Sequence, residues 1–165
     1  MEIYSIGFTK TPAEDFFGRL KRAGVRRLLD VRRNPSSQLS GFAKDWDLPY
    51  FLECLIGAEY EYEPLLAPTD EILNAYKRKK AIPWEEYETL FNALMAEREV
   101  ERKLSRESFE QPTALLCSEA SAEHCHRRLA LEYLADHWTG SRSSTYRGVQ
   151  ERRLGWRAWS PSGSW

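Results

Sequence analysis

The chain has 165 residues, 24 Lys and Arg against 25 Asp and Glu, and a formal net charge of -1. That length suits one domain with a real core, and 42% hydrophobic with 30% charged residues excludes a disordered chain. The apolar runs are too short to cross a bilayer, MEIYSIGF lacks the pattern of a secretory leader, and three irregularly spaced cysteines do not make a disulfide framework, so reduced thiols in the cytoplasm and no membrane partner are expected.

The neutral sum hides segregation. Residues 1–44 carry nine basic and four acidic side chains, residues 45–110 eight and sixteen, and residues 138–165 five and one. Two basic ends around an acidic middle fit solvated helix faces, or a local site for an anion.

In chain order, Ile3–Gly7 reads as a strand. Thr11-Pro12-Ala13-Glu14 predicts a helix capped by Thr11, with Phe16, Phe17 and Leu20 on its apolar face and Gly24 as its stop. Val25–Val31 reads as a second strand, so the unit predicts parallel strands with a right-handed crossover. Asn34–Gly41 is a loop leaving that strand's carboxyl end. Phe51–Ile56 predicts a helix stopped by Gly57, and Glu59–Glu63 alternates like a half-exposed strand. Thr69-Asp70-Glu71 starts a helix ending in Lys77-Arg78-Lys79-Lys80, a polarity that suits the helix macrodipole. Pro83–Arg106 reads as one long helix with Trp84, Tyr87, Leu90, Phe91, Leu94 and Met95 as a core stripe. Thr113–Cys117 is an apolar strand, and Ser121 is the expected cap of a last helix carrying Leu129, Leu131, Tyr133 and Leu134. The alternation predicts a single α/β domain over residues 1–138, a mainly parallel sheet with helices on both faces in a Rossmann-like three-layer arrangement. Residues 139–165 read as a Ser/Gly/Arg/Trp-rich tail.

The segment from Cys117-Ser118-Glu119 to Cys125-His126-Arg127-Arg128 is the richest in chemistry. It places Cys117 at a strand end, and Cys125 and His126 in the first turn of the next helix. Unpaired N–H groups and positive potential there favour anions and lower a thiol pKa. Spacing narrows the alternatives. The arginine position of a Cys-x5-Arg phosphatase loop holds Glu123, and Cys-x7-Cys is not a thioredoxin pair. Cys117, His124, Cys125, His126 and His137 give no recognised zinc pairing, so no metal or cofactor is expected. The bland alternative makes both cysteines small buried hydrophobes, with His126 packing locally.

Asp30-Val31-Arg32-Arg33-Asn34-Pro35-Ser36-Ser37, at the end of the second strand, offers planar Arg donors and a Ser-rich loop that suit an anion. A parallel sheet would gather this loop, the Cys117 segment and Gly7-Phe8-Thr9-Lys10 along one edge. In the tail, Trp156, Trp159 and Trp165 alternate with Arg152, Arg153 and Arg157, a pattern that stacks on unpaired bases or covers an apolar patch.

Tyr4-Ser5-Ile6-Gly7-Phe8, Asp30-Val31-Arg32 with Pro35 and Ser36, Gly41-Phe42, Trp84 with Tyr87, and Cys117-Ser118-Glu119 with Cys125-His126-Arg127 together resemble the domain-of-unknown-function family 488 across roughly residues 3–136. The resemblance implies one compact α/β domain in a prokaryotic cytoplasm and no established activity, with a loose link to DNA repair. It singles out Arg32, Ser36, Cys117, Glu119, Cys125, His126 and Arg127. After the third strand, Leu65-Leu66-Ala67-Pro68 stands where the family pattern has Leu-Gly.

The expected function is binding of an anionic ligand, a nucleotide or nucleic-acid end, with thiol-dependent catalysis. Arg32 and Arg127, with Ser36 and Lys10, would hold the anion. Cys117 or Cys125 would be the nucleophile or redox-active thiol, His126 the base and Glu119 the acid/base or orienting group. The alternatives are a non-catalytic nucleic-acid binder using the basic N-terminal segment and the Arg/Trp tail, and a thiol redox sensor pairing Cys117 with Cys125. The oligomeric state is not legible.

Overall fold

The computed structural model describes residues 3–36 and 41–138. Ser37, and the tail with its three tryptophans, lie outside the described residues.

Four short strands make one parallel sheet in the order β1-β4-β2-β3. They are β1 (Ile3–Gly7), β2 (Arg27–Asp30), β3 (Glu59–Tyr62) and β4 (Thr113–Cys117). The last strand in sequence is therefore inserted between the first two. Ile3 to Gly7 pair with Thr113 to Cys117 on one side of β4, and Arg27 to Asp30 pair with Thr113 to Leu116 on the other. β4 is flanked on both edges and reads Thr-Ala-Leu-Leu-Cys, buried throughout, as a central strand must.

Side chains alternate between two cores, which gives the expected three layers. Ile6, Leu28, Ala114 and Leu116 face helices α1 (Ala13–Arg22) and α2 (Leu48–Ile56), meeting Phe16, Phe17, Leu20, Leu48 and Leu52. Ile3, Leu29 and Leu115 face α4 (Trp84–Glu97) and α6 (His126–Trp138), meeting Phe91, Met95, Leu129 and Leu134. The remaining helices are α3 (Asp70–Leu73, widening into a π-turn over Asn74–Arg78) and the single turn α5 (Val100–Lys103). No helix of the described residues is long and apolar enough to cross a membrane.

Three local expectations are corrected. Thr11 does not cap α1; the helix starts at Ala13 behind Pro12, and the Thr11 hydroxyl turns back to the Thr9 carbonyl. The long helix expected over 83–106 breaks after Glu97, where Glu99 adopts a positive φ of 51° and starts α5. Ser121 does not cap α6, which begins at His126; its hydroxyl instead accepts the Glu123 N–H within a turn. Cys125 consequently precedes the helix and does not lie in its first turn. Of the stripe on α4, Tyr87, Phe91 and Met95 are buried, Trp84 and Leu94 pack partly, and Leu90 is exposed.

Candidate functional site

Strand insertion brings the exits of β1, β2 and β4 together at the carboxyl edge. The Val31 N–H donates to the Leu116 carbonyl (3.1 Å), and the Thr9 N–H to the Ser118 carbonyl (3.1 Å). Gly7, beside Cys117 in the ladder, admits the loop after β4. A Cβ at Gly7 would stand 1.8 Å from the Glu119 carbonyl oxygen and 3.2 Å from Arg127 Nη1. Only glycine lets the backbone approach that closely.

Cys117 ends β4 on the α6 side, with Cys125 just before α6 and His126 as its first residue. Their sulfur and nitrogen ligand atoms all lie within 4.8 Å of one another, and all three residues are buried. Cys117 Sγ is 3.8 Å from His126 Nδ1. On the other side of the ring, Nε2 lies 2.8 Å from the Val31 carbonyl oxygen, so that nitrogen carries a proton and donates it. The ring is thus fixed, with Nδ1 turned to the sulfurs.

Donors converge on the sulfurs. The Cys125 thiol donates to Cys117, and with the charge of His126 and the Glu119 backbone N–H it holds the Cys117 pKa well below the ordinary thiol range despite burial. Donating that hydrogen bond, together with burial, pushes the Cys125 thiol up, so its proton stays on. Burial opposes charge on His126, and the Cys117 sulfur outweighs it, raising His126. These directions favour charge separation between Cys117 and His126 and keep the proton on Cys125. Arg127 folds over it, Nη1 donating to the Glu119 carbonyl (2.5 Å) and lying 3.5 Å from Cys125 Sγ, and Nη2 donating to the Ala120 carbonyl (3.3 Å). Tyr87 is buried nearby and kept protonated by burial and the two sulfurs.

The other predicted residues are placed differently. Arg32 is buried on the α1/α2 side of the sheet, its guanidinium 5.2 Å from the Phe8 ring. Its Nε and Nη2 grip the Asp30 carboxylate at 2.5–3.0 Å, and the Tyr60 hydroxyl completes that carboxylate's shell at 2.8 Å. Cys117 and Arg32 thus sit on opposite sheet faces, joined through the backbone of Val31. The Glu119 carboxylate is half-exposed and paired with Lys77, away from the sulfurs. Ser36 donates to Asp45 (3.1 Å) in the loop after β2. Lys10 is exposed after β1, at a positive φ of 58°. Of Leu65-Leu66-Ala67-Pro68, Ala67 and Pro68 help wall a cavity of about 420 Å³ lined also by Arg33, Tyr62 and Arg98, whose Nη1 donates to the Leu65 and Ala67 carbonyls at 2.6 Å.

Sequence reasoning missed Tyr60 at this edge and took Tyr87 only as part of the core stripe, while the pairing of Asp30 with a neighbouring arginine was open to it as the plain alternative to an anion site. It also missed the Val31 carbonyl that orients His126, which no side-chain pattern reveals.

The family model for the domain of unknown function DUF488 matches residues 12–134. No match was found among curated proteins or solved structures.

Proposed function

The chain belongs to the family of the domain of unknown function DUF488, and from that premise we propose a protein of a reducing compartment, the cytoplasm, that performs thiol-dependent chemistry on an anionic ligand. One observation carries the reading: Cys117 Sγ lies 3.8 Å from a His126 Nδ1 whose opposite nitrogen is tied to the Val31 carbonyl. A nucleophile, a proton carrier and an orienting group stand in line, the arrangement that activates a thiol. Cys117 Sγ would form the new bond at an electrophilic atom beside the anionic group. The leaving group takes the bonding pair, and the Nδ1 proton of His126 neutralises it.

One buried cation supports an anionic ligand at the sulfurs: Arg127, whose Nη1 lies 3.5 Å from Cys125 Sγ, keeps a buried Nε with no hydrogen-bond partner among the described residues. A ligand that supplied an acceptor would satisfy it. Arg32 has a similar orphan donor in Nη1, but on the opposite sheet face against Asp30. Ser36 and Lys10 would reach the anion from the loops after β2 and β1, and the Glu119 backbone N–H already faces the Cys117 sulfur. A nucleotide or a nucleic-acid end, as met in DNA repair, presents such a group.

A second reading has its own observation, the Cys125 thiol beside the Cys117 thiolate. A hydroperoxide would oxidise Cys117 to the sulfenic acid, and Cys125 would displace water to close a disulfide.

Inorganic pyrophosphate tests the first reading. On the chelator-treated full chain it should slow iodoacetamide alkylation of Cys117 and leave Cys54 unchanged. His126→Asn should slow Cys117 without any anion present. Alkylation of Cys117 that ignores both pyrophosphate and His126→Asn would overturn it.

A further inference from the structure

We propose that Cys117 Sγ, Cys125 Sγ and His126 Nδ1 form a three-ligand site for a thiophilic divalent cation of the zinc type, with a fourth position left for water or for the anionic ligand. The donors come from a strand end and a helix start, so the Cys-x7-Cys-His spacing resembles no short zinc motif. In space they lie within 4.8 Å of one another. Zinc–sulfur bonds of about 2.3 Å and zinc–nitrogen bonds of about 2.0–2.1 Å place tetrahedral ligands roughly 3.5–3.8 Å apart. The Cys117–His126 separation of 3.8 Å comes close to that spacing.

The surroundings fit as well. A metal-binding histidine characteristically donates its other N–H to a carbonyl or carboxylate, which fixes the ring and selects the free nitrogen. His126 does so to the Val31 carbonyl at 2.8 Å. Arg127 and the Glu119 backbone N–H lie against the two sulfurs and would share the ligand charge. Two sulfurs and an imidazole favour zinc over magnesium or calcium, which take oxygen ligands. Burial of all three residues would keep competing water off the ligand bonds. Protons displaced from sulfur or nitrogen leave to solvent. The site goes beyond the thiol reading, because a bound cation engages the Cys117 lone pairs and the thiol chemistry then belongs to the metal-free protein.

The test uses the chelator-treated, reduced full chain titrated with Co²⁺ alone, then with Zn²⁺ in competition. One equivalent of Co²⁺ should give thiolate-to-cobalt charge-transfer absorption and the visible bands of four-coordinate cobalt, and Zn²⁺ should abolish both. Cys125→Ser should weaken binding by more than the roughly 10–100-fold typical of outer-shell losses, while Cys54→Ser changes nothing. No charge-transfer band in a chain whose circular dichroism shows it folded would overturn the site. So would a band that survives Cys125→Ser. Iodoacetamide labelling of the same metal-free sample separates the two proposals. Slow Cys117 labelling with normal Co²⁺ binding sinks the thiol reading and keeps the metal site; fast labelling with no Co²⁺ band does the reverse.

Discussion

Arg27 opens β2 and Arg32 lies two residues past its carboxyl end, and both are buried, yet they are held in different ways. Arg27, at the amino end, reaches a half-exposed Glu61 at 3.2 Å and lies over the Phe109 ring, with Nε and Nη2 finding no hydrogen-bond partner among the described residues. Arg32, past the carboxyl end, faces an Asp30 that is 0% exposed, through three hydrogen bonds from its side chain and one from its own backbone N–H. The first arrangement covers a sheet edge. The second locks the residues on both sides of Val31, whose N–H and carbonyl hold Leu116 and His126. The Asp30–Arg32 pair therefore flanks the one residue whose backbone links it across the sheet to Leu116 and His126.

The largest expected effect breaks the stronger pair. Asp30→Asn leaves the Arg32 charge buried without its counter-ion and should cost about 3–5 kcal/mol in chemical denaturation. Next comes Gly7→Ala. Its Cβ would collide with the Glu119 carbonyl at 1.8 Å, and the forced shift should cost about 3 kcal/mol. The same change moves the loop after β4 away from Cys117, and iodoacetamide mapping should show slower labelling there. His126→Phe leaves the Val31 carbonyl without its donor and should cost about 1–3 kcal/mol, while Cys117 loses its imidazole and labels more slowly. Glu61→Gln is the smallest, below about 1 kcal/mol, because the carboxylate it changes is 50% exposed and screened by water. Equal losses for Asp30→Asn and Glu61→Gln would erase the contrast between the two ends.

The sequence made the layers legible because apolar runs at Ile3–Gly7 and Thr113–Cys117, with glycine stops at Gly24 and Gly57, mark the elements they border. Helix ends were harder. Nothing between Glu97 and Val100 announces a break, since no Gly or Pro stands there; Glu99 takes the positive φ that glycine usually supplies. At Ser121 and Thr11 the cap residues were present, but their hydroxyls serve neighbouring turns.

At the site, Cys117, Cys125 and His126 were legible as neighbours because one short loop joins a strand end to a helix start. Their metal-like convergence was not, because the ligands come from two elements and spacing alone cannot show the angle between them. The separation of Arg32 from Cys117 follows from the pleat: Asp30 and Arg32 share the parity of Leu28 on β2, and Cys117 that of Leu115 on β4.

The most direct measurement of the central claim is the ratio of alkylation rates at Cys117 and Cys54 in the metal-free full chain at neutral pH. Cys54 is exposed and Cys117 is buried, so access alone makes Cys54 the faster. A thiolate paired with His126 predicts the reverse order, with the ratio collapsing in His126→Phe. Cys54 reacting first in both proteins would contradict the account.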